Sequence, residues 1–121
     1  MIRKITLSFA AFATMAIAPV SAQDTTPSSG VFKTGQQVYD LCVSSNTADL
    51  DNCDYFIMGA HDMVKFFGDT DMIDSKICLP EGIKAIAVRN VVLAYWRAKI
   101  VRLKYSAVSG ISNALAEKYG C

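Results

Sequence analysis

Three observations predict an all-α, four-helix domain stapled by two disulfides. Apolar residues recur at helical spacing in four separate segments, no run calls for a sheet, and Cys42, Cys53, Cys78 and Cys121 each stand next to a predicted helix end. The even cysteine set reads as a disulfide framework because it sits downstream of an export signal, and an oxidising compartment keeps such pairs closed. A small core also gains most from such staples.

The signal occupies residues 1–22. Arg3 and Lys4 form a basic start, Ile5 to Ala18 is an apolar run, and Val20-Ser21-Ala22 offers small residues to a signal peptidase, so cleavage is expected after Ala22. The apolar run falls short of the roughly 20 residues that span a bilayer. No membrane segment is expected after cleavage. Residues 23–33 lack apolar periodicity and read as a flexible lead, leaving residues 34–121 as one domain.

Thr34-Gly35-Gln36-Gln37 matches a capping box, and a helix is expected from there to about Val43, with Val38, Leu41 and Cys42 on one face. Asp49 or Asp51 is expected to cap the second helix, whose apolar stripe is Cys53, Phe56, Ile57, Ala60, Val64 and Phe67. Gly59 costs that helix roughly 1 kcal/mol relative to Ala, which predicts close packing against a neighbouring backbone. Gly68 is expected to end it. Gly68 to Lys76 then reads as an exposed acidic loop with Met72 and Ile73 as an apolar tip. Asp69, Asp71 and Asp74 do not make a calcium loop, because the glycine and distal Glu of that pattern are misplaced.

Cys78-Leu79-Pro80-Glu81-Gly82 is expected to open the third helix, with Pro80 in the first turn and Ile83, Ala87, Val91, Ala94, Ala98 and Val101 on the buried side. Ile100 to Tyr105 alternates, which suits either a bend or a continuous helix. A last helix from about Ser106 carries Val108, Ile111, Ala114 or Leu115, and Tyr119, and stops at Gly120. In this layout Cys42 ends one helix and Cys53 begins the next, so an antiparallel hairpin joins them. Folding back of the third and fourth helices brings Cys78 to Cys121. Of the three connectivities that four cysteines allow, the layout favours these two bridges.

Charge is divided along the chain. Between Gln23 and Glu81 ten carboxylates face only Lys33, Lys65 and Lys76, whereas from Gly82 onward seven basic residues face only Glu117. Opposite halves attract on folding or on dimerisation, and a chain so close to neutral overall is not built for nucleic acid. An enzyme is not expected: His61 is the only histidine, no nucleophile-His-acid set can be assembled, and paired cysteines leave no thiolate. No cofactor is expected either. His61 shares an outward helix face with Asp54, Met58 and Lys65, and Met58 with His61 is too few ligands for copper.

Several of these residues resemble a known family. Cys53 with Tyr55-Phe56-Ile57, Gly59 and Asp62, then Cys78-Leu79-Pro80-Glu81-Gly82, Val91-Val92 with Tyr95, and the terminal Tyr119-Gly120-Cys121 resemble the Tai-type (Rap/Tai) immunity proteins. These are small periplasmic proteins that protect bacteria against peptidoglycan amidase effectors of type VI secretion. The resemblance covers about Thr34 to Cys121. It implies a periplasmic, all-helical, HdeA-like and often dimeric protein that plugs the active-site cleft of an amidase toxin with a surface loop or helix end. It also implies structural roles for Gly59 (packing), Pro80 and Gly82 (opening a helix) and Asp62 (a bond to an amide or to a basic residue of the third helix, or a solvated charge). Many relatives carry a His-Pro turn between their last two helices, and Lys99 to Tyr105 contains neither residue. The best candidates for toxin contact are Asp69, Asp71, Met72, Ile73 and Asp74. The alternative is an HdeA-like acid-stress chaperone, in which acid neutralises the acidic half and leaves the basic half self-repelling.

Overall fold

The first two helices of the fold begin where a polar side chain, Thr34 in one and Asn46 in the other, replaces the missing backbone partners of a first turn. In the computed structural model, which describes residues 30–74 and 76–121, the helices are α1 (Gly35–Cys42), α2 (Thr47–Asp69), α3 (Ala85–Ala98) and α4 (Ala107–Tyr119). The expected signal peptide, and residues 23–29 of the lead, lie outside the described residues. Among the described residues there is no strand, only two isolated antiparallel bridges, Thr34 to Ser106 and Ile77 to Gly120.

The capping box of α1 is present: the Gln37 amide donates to Thr34 Oγ1 at 3.3 Å, and the Thr34 amide donates to Gln37 Oε1 at 3.0 Å. The cap of α2 is Asn46 rather than Asp49 or Asp51, because Asn46 Oδ1 accepts from the Ala48 amide at 2.8 Å. Asp49 instead lies in the first turn and accepts from Ser44 Oγ at 2.7 Å. Nor does Gly68 stop α2. The helix runs on to Asp69, and the reversal falls on Asp71, whose φ is +55°.

Cysteine pairing is as the layout favoured. Cys42 and Cys53 have Cα atoms 5.1 Å apart, and Cys78 and Cys121 have theirs 5.8 Å apart. Around the second bridge the chain adds backbone bonds, with the Cys78 amide donating to Tyr119 O at 2.8 Å. The other end of α4 is tied to the start of α1, where the Gly35 amide donates to Tyr105 O at 2.8 Å and the Ala107 amide to Lys33 O at 3.0 Å.

The start of α3 departs from expectation. Pro80 and Gly82 do not open it; they belong to an irregular turn in which Gly82 takes φ +73°, a left-handed conformation that breaks the helical path. The helix begins at Ala85 without a side-chain cap. Its buried residues are Val88, Val92, Leu93, Tyr95 and Trp96, while Ala94, Ala98 and Val101 are exposed. Ile83, Ala87 and Val91 are half-buried. A large side chain decides the face: Trp96 is wholly buried, and placing it inward turns the alanines out. Between α3 and α4 the chain is neither bend nor continued α-helix but a 3-10 turn, Ile100–Lys104.

Trp96 is the centre of the core. Its ring meets Tyr39 edge-on with centroids 6.4 Å apart, and its indole nitrogen lies over two glycines, Gly35 and Gly110. A Cβ added at Gly110 would stand 2.5 Å from Trp96 Nε1, and one at Gly35 would stand 3.0 Å from the Leu103 backbone. These are the glycines that close packing requires. Gly59 is not one of them, since a Cβ there would meet nothing within 4 Å. Ile57, Ile111, Leu115, Val38 and Val92 complete the interior.

Candidate functional site

The acidic loop follows from how α2 ends. Thr70 Oγ1 donates back to Phe66 O at 2.8 Å and the Met72 amide donates to Phe67 O at 2.9 Å, so the chain curls tightly around Asp71. Residues just beyond that curl have no helix to bury them. Met72 is 65% exposed and Ile73 38%, with Asp74 exposed beside them. Asp69 is held by Lys65 one turn earlier, at 2.6 Å. Among the described residues Asp71 and Asp74 make no ion pair.

Behind the loop lies an open groove of about 580 Å³ between the end of α2 and the segment that carries Cys78. Asp69 and Asp71 reach its wall, as do His61, Lys65, Lys76 and the Cys78 and Cys121 bridge. The five loop candidates therefore divide: Asp69 and Asp71 face the groove, while Met72, Ile73 and Asp74 form the outward tip. His61, expected on an outward face, is mostly covered, its side chain 17% exposed and Nδ1 3.3 Å from Asp62 Oδ1. Among the described residues no group of three or more His, Cys, Asp or Glu is placed to hold a metal ion, and no helix is long and apolar enough to cross a membrane.

Asp62 does not tie α2 to the third helix. Its side chain is 81% exposed and its one side-chain partner among the described residues is the neighbouring His61. That tie is made by Asp54 instead, whose Oδ1 lies 3.3 Å from Arg89 Nη1 with both side chains largely covered. Asp54 Oδ1 is enclosed yet receives no hydrogen bond of good angle, so the attraction is that of two charges rather than a formed bond.

Two further surfaces carry exposed apolar groups that sequence reasoning passed over. On α2 a second stripe, Tyr55, Gly59, Met63 and Phe66, runs outward beside the buried one, with Val108 of α4 next to it. Spacing of four, four and three residues was the signal for it. At the 3-10 turn, Ile100 and Val101 are 68% and 69% exposed, next to a pocket of about 230 Å³ walled by Tyr39, Trp96, Arg97 and Leu103.

A sequence model of the Rap1a immunity proteins matches residues 34–121. No curated protein and no solved structure matches the chain.

Proposed function

The chain belongs to the Rap1a immunity proteins, whose membership means binding to an effector protein, and from that premise we propose that it neutralises a peptidoglycan amidase effector in the periplasm. Occlusion of the amidase cleft by the tip of the acidic loop is the inhibitory step, and no catalytic step by the chain itself is involved. The observation that carries this reading is the loop after α2. It offers an aliphatic tip, Met72 and Ile73, flanked by two carboxylates, Asp71 and Asp74, that make no ion pair among the described residues, and its base is anchored by the curl at Asp71. A short apolar tip held out on a fixed base enters a cleft at low entropic cost, and carboxylates beside it steer the approach to a cationic rim.

The test is inhibition of a peptidoglycan amidase effector, sought first among the genes that neighbour the one for this chain. Replacing Met72 and Ile73 with Ser leaves the fold intact, because both side chains are already exposed, and is expected to weaken inhibition at least about tenfold. Unchanged inhibition by that variant sinks the loop as the contact; absence of any binding by the parent chain sinks the amidase reading.

A second reading, an acid-stress chaperone, is favoured by the outward stripe of α2, where Tyr55, Met63 and Phe66 are 69%, 51% and 55% exposed. Such a protein suppresses client aggregation only below the carboxylate range, at about pH 3. Tight binding of one partner near neutral pH, without that acid activity, decides for immunity.

A further inference from the structure

At the 3-10 turn between α3 and α4 the chain gathers apolar and basic groups and no acidic ones. Ile100 and Val101 are more than two-thirds exposed, Tyr105 is half-exposed, and Arg97, Arg102 and Lys104 stand exposed among them. The start of the domain adds to this ledge. The Gly35 amide donates to Tyr105 O and the Ala107 amide to Lys33 O, which sets exposed Lys33 and the almost wholly exposed Phe32 close beside the turn. Neither Gly30 to Tyr39 nor Gly82 to Ala116 contains an Asp or Glu. The one carboxylate that reaches the turn among the described residues, Glu117, is bound to Lys99.

Among the described residues Arg97, Arg102 and Lys104 make no ion pair. Arg97 only approaches Tyr39 OH, at 3.4 Å, and Lys104 lies over the Tyr105 ring, 5.2 Å from its centre. Aliphatic side chains outermost, with a tyrosine and long bases around them, suit the headgroup zone of a bilayer: the aliphatics enter the acyl boundary, the Tyr ring rests at headgroup level, and Arg and Lys lay their stems on apolar surface while their charges meet phosphates. A free anion would satisfy the charges and leave Ile100 and Val101 in water. A protein surface fits less well, since Arg97 to Lys104 contains no Ser, Thr, Asn, Gln, Asp or Glu to match its polar groups, and protein interfaces carry about one hydrogen bond per 100–200 Å².

We infer that this ledge is a docking surface for a phospholipid bilayer that carries anionic headgroups. The chain does not cross the bilayer; Ile100, Val101 and Phe32 dip into its surface, and the bases hold the anionic lipids around them. Binding is reversible and salt-sensitive, because a few shallow side chains and a few charges make no permanent anchor. The exposed stripe on α2 does not compete for such a surface: Asp51 and Asp62 stand one helical turn before Tyr55 and Phe66, and an anionic bilayer repels them. The acidic loop lies at the other end of α4, where the Cys78 amide bonds to Tyr119 O, thirteen helical residues away, about 20 Å at the helical rise. A chain seated on its ledge therefore holds the loop clear of the lipid and open to an effector; this consequence, unlike the docking, rests on the effector reading.

Flotation of the chain lacking residues 1–22 with phospholipid vesicles tests the docking without an effector and without the apolar run of the signal. The parent is expected to bind vesicles of phosphatidylcholine and phosphatidylglycerol in equal parts at least about tenfold more tightly than phosphatidylcholine alone, and to be released as salt rises. Arg102→Glu/Lys104→Glu is expected to weaken that binding at least about twentyfold, and Ile100→Ser/Val101→Ser at least about tenfold. Tyr55→Ser/Met63→Ser, on the α2 stripe, is expected to bind as the parent does. Circular dichroism that matches the parent shows that these exposed substitutions leave the fold intact. Sodium phosphate and sodium chloride of equal ionic strength are expected to release the chain alike. A parent that binds neither vesicle, which would leave the ledge to an acidic protein, overturns the inference, and so does one that binds both equally. Undiminished binding by Ile100→Ser/Val101→Ser, loss of binding by the α2 variant, or selective release by phosphate, the mark of a free-anion site, each overturns it as well.

Discussion

Two glycines of one type of position, the interior of a helix, behave oppositely because of what stands over them. Gly110 lies under the indole of Trp96, which is wholly buried and has no room to retreat, so a methyl group there forces the ring to shift. Gly110→Ala is expected to lower stability by about 2 kcal/mol, the range of overpacked cores. Gly59 faces open space, and Gly59→Ala is expected to raise stability by up to about 1 kcal/mol through helix propensity alone. Urea unfolding of both variants gives the comparison, and a neutral Gly110→Ala would show that Trp96 has slack the packing does not indicate. The sequence marks both positions with the same letter. What separates them is a ring contributed by another helix, which no local pattern reports.

At the scale of elements, legibility followed how much each helix depends on its own residues. The Thr34 capping box is local chemistry and was readable, and so was the α2 stripe, whose Cys53, Ile57, Ala60 and Val64 are all buried. The face of α3 was not, because Ala85–Ala98 is apolar nearly all the way round and its periodicity cannot choose a side. Choice came from fitting Trp96 between α1 and α4. The acidic loop was legible from composition, whereas the ledge at Ile100 and Val101 was not, since exposure of aliphatic residues contradicts the pattern used to read them. Of the roles open to Asp62 its exposure matches the solvated charge, and the tie between α2 and α3 through Asp54 was not legible, because helical phase alone does not show which carboxylate a facing arginine reaches. Arg89→Met leaves Asp54 largely covered and unpaired, and is expected to cost about 2 kcal/mol; Asp54→Leu with Arg89→Met recovers most of it, because a partly buried pair returns little beyond the cost of its own desolvation. Equal losses in the single and double variants, read from denaturation midpoints, would mean that Arg89 acts through packing rather than charge.

For the whole molecule the two bridges differ in kind, although both join chain reversals. Cys42 and Cys53 are buried, with 11 residues of separation, and staple a hairpin that α1 and α2 already form by contact. Cys78 and Cys121 are exposed, with a separation of 43, and bind the C-terminus to the segment that follows the acidic loop. Accessibility controls attack by an external thiolate, so limited reductant is expected to open Cys78–Cys121 first and leave a species with Cys42–Cys53 intact. Alkylation of the new thiols followed by peptide mapping identifies that species. Closing the longer loop contributes about 4 kcal/mol in the chain-entropy picture, against about 3 for the shorter, and a domain of this size holds only about 5–15 in total. Cys78→Ser/Cys121→Ser, at two exposed sites where Ser loses no packing, is therefore expected to remove a large share of the stability while α1 and α2 remain paired. Proteolysis should then begin between Thr70 and Ile83, where the released segment no longer bonds to Tyr119, before it reaches α2 or α4. Cutting that starts in α1 instead would show that the terminal bridge does not hold the loop, and that the base proposed for its docking tip is supplied by the curl at Asp71 alone.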